Sequence, residues 1–183
     1  MKIKNLFPIP LLFHQVDKSI ADEIEDIVLP KLHHLETYNN VKTDFFKGCI
    51  ISLDSIPSLM KEINRGVDYF CEHLSIPPPT LYNYWIQDYS KNQTHPVHNH
   101  GRHEISVVYW IRSNNLSGDF KLYNPSPYNK VFYQNDYKSK YTTEEIIIPP
   151  VKGGLLMFPS YLDHEVLPGK EGCIRTTLAL NYQ

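Results

Sequence analysis

The chain has 183 residues, a formal charge of −2 with nine histidines left uncounted, and an unusual aromatic load of 13 tyrosines and 8 phenylalanines. Its length suits a single domain, 1–183, able to bury a core without metals or disulfides as staples. The balanced charge offers no basic excess for an obligate nucleic-acid partner, and no apolar run approaches the ~18–20 residues of a membrane span.

Residues 3–15 read as an opening strand interrupted by Pro8 and Pro10. Ile20, Ile24, Ile27, Val28, Leu32 and Leu35 then recur at helical spacing, with Ser19 or Asp17 as N-cap and Pro30 expected to kink or end the first half. Ile56, Leu59, Met60, Ile63, Val67, Phe70, Cys71 and Leu74 predict a second helix, stopped by Ile76-Pro77-Pro78-Pro79. Beyond Pro79 the pattern changes to short strands at 80–89, 95–100, 104–112, 118–123, 144–149, 154–159, 161–167 and 173–182. Strands in series without intervening helices predict a mainly β (α+β) domain, a sandwich or jelly roll, not a parallel α/β sheet. Residues 1–79 would support a jelly-roll core at 80–183, with the two helices packed on one sheet. The stretch 124–143 is a long loop carrying Tyr128, Phe132, Tyr133, Tyr137 and Tyr141 among Lys130, Lys138 and Lys140, which suits either a lid or a cover for the barrel edge.

Cys49, Cys71 and Cys173 are odd in number, far apart and form no CxxC, so neither a disulfide framework nor a thiolate zinc site is indicated. With no signal-peptide core in Met1–Leu12, a reduced, cytoplasmic setting is expected.

The chemistry concentrates in Thr94-His95-Pro96-Val97-His98-Asn99-His100-Gly101-Arg102-His103. Residues two apart on a strand face the same side, so His98 and His100 can chelate one metal while His95 and His103 fall out of phase. Imidazole suits Fe, Zn, Cu and Ni alike, and an HxH pair is also compatible with a metal-free surface cluster. On the last strand Arg175, Thr177 and Asn181 share one face, and Ile174, Leu178 and Leu180 the other. An inward arginine needs an anion: either an Asp or Glu of the fold, or a dicarboxylate held bidentately with the Thr177 hydroxyl assisting.

The runs HNHGRHEISVVYWI, GDFKLYNP, PPVKGGLLMFPSYLDHEVLP and CIRTTLALN, in that order, resemble the 2-oxoglutarate and Fe(II)-dependent oxygenases, closest to a small phage and bacterial branch related to prolyl hydroxylases. The resemblance covers roughly residues 80–183. It implies a double-stranded β-helix (a cupin-like jelly roll) with iron at one mouth, O2 as cosubstrate and no catalytic residue beyond the metal site. His98 matches the first ligand, His164 the distal histidine, Arg175 the residue on the far carboxylate of 2-oxoglutarate, and Thr177 the hydroxyl two places on. Tyr109 and Trp110 fall where prolyl hydroxylases place a tyrosine on the cosubstrate; Tyr89 is a second candidate.

One departure stands out: His98-Asn99-His100 replaces the usual His-x-Asp or His-x-Glu, so His100 becomes the expected middle ligand, with Glu104 and Asp163 as nearby carboxylates. The expected partners are 2-oxoglutarate and a primary substrate for which a peptidyl or free amino acid is the first guess; a homodimer is compatible with the chain. Two rival readings stay open on sequence alone: a cupin-like three-histidine dioxygenase with no use for Arg175, and a non-catalytic jelly roll.

Overall fold

The computed structural model describes residues 9–126 and 143–183. In chain order the elements are β1 (Leu12–Gln15), α1 (Lys18–Val28), β2 (Glu36–Tyr38), β3 (Val41–Thr43), α2 (Pro57–Leu74), β4 (Leu81–Tyr89), β5 (His95–His98), β6 (Ile105–Ser113), β7 (Phe120–Tyr123), β8 (Glu145–Ile148), β9 (Gly154–Pro159), β10 (His164–Val166) and β11 (Arg175–Tyr182). Pro30 ends α1 as a 3-10 run, Leu29–His34, because proline cannot donate to the helix ladder. Pro57 opens α2, where its missing N–H costs nothing, and Ser75 closes it in the left-handed conformation.

Strands β4 to β11 fold into two facing antiparallel sheets. The larger runs β1-β9-β6-β11-β4-β3-β2 and the smaller β5-β10-β7-β8. The chain crosses from one sheet to the other at every connection after β4 except the β7–β8 pairing, which is the wound pattern of a jelly roll. The expected architecture is therefore present, including the helices on one sheet. Ala21, Ile24 and Val28 of α1 and Leu59, Ile63, Val67, Phe70 and Cys71 of α2 pack against Ile105, Val107, Tyr109 and Ile111 of β6, Leu155 and Met157 of β9, and Leu178 and Leu180 of β11. A second core lies between the sheets, built from Tyr89, Val108, Trp110, Phe120, Leu122, Leu156, Phe158 and Val166. The large sheet is thus buried on both faces, which is why β6 and β9 read as continuous apolar runs rather than alternating ones. The helix layer sits close: a Cβ on Gly66 of α2 would come within 2.5 Å of the Met157 side chain.

Several boundaries differ from the sequence expectation. The opening strand is paired only over Leu12–Gln15, and residues 1–8 lie outside the described set. β5 stops at His98, so His100 lies beyond the strand, and β10 begins only at His164 after a turn. A short β2–β3 hairpin was not anticipated. Its turn, Asn39-Asn40, has φ of 46° and 68°, the left-handed conformation that asparagine tolerates and tight hairpins require. The aromatic and lysine residues of the expected lid, Tyr128 to Tyr141, lie outside the described residues.

Candidate active site

The mouth of the barrel is where β5 and β10 of the small sheet meet β4, β6 and β11 of the large one. His98 and His164 are cross-strand partners on β5 and β10, and antiparallel partners share a face. His100 reaches them from the turn after β5, its backbone N–H donating to Ser160 O at 2.8 Å. One ligand atom from each of His98, His100 and His164 lies within 4.8 Å of the others. Neither Glu104 nor Asp163 joins this group; the Asp163 carboxylate accepts from Asn99 Nδ2 at 2.7 Å instead.

The orientation of each ring is set by its other nitrogen. His98 Nδ1–H donates to Pro96 O and His164 Nδ1–H to Leu162 O, both at 2.8 Å. Backbone carbonyls only accept, so in both rings Nδ1 carries the proton and Nε2 keeps its lone pair. His100 Nδ1 faces Asn181 Oδ1 at 2.7 Å and Ser106 Oγ at 3.0 Å. Asn181 is held with its oxygen toward His100 because its Nδ2 donates to Asn83 Oδ1 at 3.0 Å. Three Nε2 lone pairs are thereby aimed at a common point by groups outside the ligand set, the arrangement metal sites use to fix tautomer and direction. Burial, then the nearby imidazoles, hold His164 down to about 3. Burial holds His100 to about 4 against the Asn181 hydrogen bond, and His98 is lowered as well. All three are neutral at pH 7, the form that binds a metal.

His95 joins them, contrary to the phase expected from simple alternation. On β10 two residue steps separate His164 from Val166, while their partners His98 and His95 are three steps apart. The extra residue is a β-bulge, which swings His95 onto the side of His98; their rings stack at 4.1 Å. Gln87 Nε2 lies 3.0 Å from His95 Nδ1.

Arg175 lies on β11, 1% exposed, beside the same cavity. Its Nη1 donates to Gly118 O and its guanidinium sits 5.2 Å from the Tyr89 ring centroid, but its Nε has no partner and, among the described residues, no carboxylate pairs with it. Burial lowers its pKa to about 10, so it remains a cation at neutral pH. The Tyr89 hydroxyl beside it is also buried without a partner, and burial pushes its pKa upward despite Arg175. Thr177 lines this cavity together with Val108, Phe120, Phe158 and the three histidines. An uncompensated buried guanidinium and an orphaned phenol in a cavity with three free imidazole nitrogens fit a dianion that also reaches a metal.

The other two expected cosubstrate residues lie elsewhere. Tyr109 points into the helix-facing core, where its hydroxyl is pushed upward by burial and by Asp22 and Glu25. Trp110 belongs to the inter-sheet core but does not line the cavity. The register explains the placing of Tyr109, which pairs with Leu178 on the face of β11 opposite Arg175 and Thr177; Trp110 pairs with Thr177.

Residues 83–181 match the family model described as "Putative 2OG-Fe(II) oxygenase". That is more than half of the chain, and the chain belongs to this family. Membership implies Fe(II) and 2-oxoglutarate as cofactors, which the donor set and the buried cation fit. No curated protein matches the sequence. Among solved structures, a 2OG-Fe(II) oxygenase family oxidoreductase from Burkholderia pseudomallei is similar with a TM-score of 0.60 at 13% identity, over 94% of this chain and 84% of that one. A Pseudomonas putida prolyl-4-hydroxylase gives 0.61 at 13% over 94% and 91%. The non-heme alpha ketoglutarate dependent epimerase SnoN from nogalamycin biosynthesis gives 0.66 at 11% over 94% and 78%. At these identities the likeness shows the double-stranded β-helix fold and nothing finer. No helix among the described residues is long and apolar enough to cross a membrane.

Proposed function

We propose that the protein is an Fe(II)- and 2-oxoglutarate-dependent dioxygenase that hydroxylates a C–H bond of its substrate, with release of succinate and CO2. The observation that carries this reading is the shared cavity: three imidazole Nε2 atoms converge at one end and the unpaired Arg175 lies along its wall. When bound, iron and 2-oxoglutarate supply the oxidising power, coupling decarboxylation of the keto acid to transfer of one oxygen atom of O2.

The rest falls to the chain. His98, His100 and His164 hold the metal, each kept in one tautomer by its Nδ1 partner. Arg175 takes the far carboxylate, with the Tyr89 hydroxyl and the Thr177 hydroxyl as further donors; Tyr89 is the better placed tyrosine, since Tyr109 faces the helices. Phe120, Phe158 and Val108 keep the cavity dry, which strengthens these contacts and shields a strong oxidant from water. No ligand is a carboxylate, so the dianionic cosubstrate is what neutralises the dication. The free thiols Cys49, Cys71 and Cys173 suit a reducing compartment, where ferrous iron persists.

The test is anaerobic addition of Fe(II), then 2-oxoglutarate, with visible spectroscopy. A metal-to-ligand charge-transfer band requiring both additions is expected, and His164→Ala abolishes stoichiometric iron binding. Full iron binding by that variant, or iron without the band, defeats the assignment.

A further inference from the structure

Outside the metal centre, the mouth opens into a bowl of about 480 Å3 whose wall is a file of aromatic rings. Tyr38 contacts Phe46 at 4.5 Å between centroids, Phe46 contacts Phe45 at 5.0 Å, Phe45 stands edge-on to Trp85 at 4.9 Å, and Trp85 meets the ring of His100 at 5.9 Å. Phe45 and Phe46 are 46% and 63% exposed, yet the loop carrying them is fixed. The buried Asp44 carboxylate accepts from Ile50 N and Ile86 N, both at 2.7 Å, and Thr43 Oγ1 donates to Ile86 O at 2.9 Å. Large apolar rings held rigidly in solvent at the mouth of a cavity mark a binding surface.

The electrostatics of the bowl are one-sided. Its lining contains no carboxylate, and Arg102 on its rim, exposed, has no acidic partner among the described residues. Among the acids nearby, Glu36 is paired with Lys47 and the Asp163 carboxylate accepts from Asn99; neither they nor Glu104 line the bowl. We propose that this bowl binds the primary substrate, and that the substrate is a small carboxylic acid bearing an aromatic or similarly flat apolar ring. The ring lies against Phe45, Phe46 and Trp85, and the carboxylate is directed to Arg102. The volume is in the range of small-molecule sites. The inference rests on the dioxygenase reading, because it is the metal beside His100 that makes the bowl a substrate site.

The test uses 3-phenylpropionate, its amide and the corresponding amine as probes, on the metal-free protein and, anaerobically, on protein loaded with Fe(II) and 2-oxoglutarate. Tryptophan fluorescence reads binding, since Trp85 lines the bowl, and a shift of the charge-transfer band reads it beside the metal. The acid is expected to bind best and the amine worst. Phe46→Ala weakens the acid about fivefold, and Arg102→Ala removes an advantage of about fivefold over the amide. Both side chains are exposed, so both variants fold. An amine or amide that binds as well as the acid, a Phe46→Ala variant with undiminished affinity, or no fluorescence response at all overturns the proposal. A charge-transfer band without probe binding defeats the bowl alone; probe binding without a band defeats the dioxygenase reading and, with it, the bowl's role as a substrate site.

Discussion

Two arginines stand on the central strands of the large sheet, and its two faces treat them in opposite ways. Arg112, on the face away from the cavity, is paired: Nη2 reaches Asp88 Oδ1 at 3.2 Å, Nε donates to Thr176 Oγ1 at 3.0 Å, and Thr176 in turn donates to Asp88 at 2.6 Å. Arg175, one residue before Thr176 and on the other face, is more deeply buried, has a carbonyl and a ring for company, and lacks a counter-ion among the described residues. The first is a closed network that stabilises the sheet. The second is a charge whose desolvation costs several kcal/mol and which no described carboxylate compensates. Such a residue points to a ligand, not to the stability of the chain.

The contrast is broken most directly at Arg175 itself. Arg175→Met is expected to lower 2-oxoglutarate affinity by about a hundredfold or more, while the metal-free protein melts at the same temperature or higher, since a buried unpaired charge has gone. Calorimetric titration and a thermal scan read the two effects; unchanged cosubstrate affinity sinks the assignment. Gly118→Ala strikes the carbonyl that holds the guanidinium. The new Cβ would fall 1.7 Å from Leu167 O, so the turn must move. A loss of ~2–4 kcal/mol in urea melts and weaker cosubstrate binding are expected together.

On the opposite face, Asp88→Ala strands Arg112. It is expected to cost ~1–3 kcal/mol and leave 2-oxoglutarate affinity within about twofold, since sites with no shared partner act independently. A large loss of affinity would mean the two faces are coupled. The last effect concerns pH. His100 and His164 are held to about 4 and about 3 from an ordinary 6.5, and His98 is lowered too. Between those values the unfolded chain binds more protons than the folded one. Metal-free stability should therefore fall as pH drops below about 6.5, visible in urea melts at pH 7.5 and 5. A flat profile would show that these rings are not buried as neutral groups.

Much of this was legible in the sequence because it depends on local period and residue type. Helix α2, the series of strands after Pro79, and the alternation that puts Arg175 and Thr177 on one face of β11 all follow from side-chain spacing. Spacing pairs His98 with His100, but His164 joins them only through resemblance, because no spacing rule links β5 to a strand some sixty residues on. What the sequence hid lies in departures from regular period. The β5 bulge turns His95 inward, and nothing in His95-Pro96-Val97-His98 except the proline hints at it. Tyr109 could have been excluded as a cosubstrate contact, since Ile105, Val107, Tyr109 and Ile111 form one stripe and the helices require an apolar face. The Asn39-Asn40 turn was likewise present as a hairpin signal. The orienting roles of Ser106 and Asn181 were not, because they arise from the register of three strands.

The Asp44 clamp separates shape from preference. Its hydrogen bonds run to backbone amides at Ile50 and Ile86, so the path of the loop is independent of what positions 45 and 46 carry. Those two positions can change identity while the scaffold beneath them stays put. In evolutionary terms the rim is a cassette: a lineage can exchange its rings for other side chains, and so its choice of molecule, without reopening the question of how the barrel folds or holds its iron.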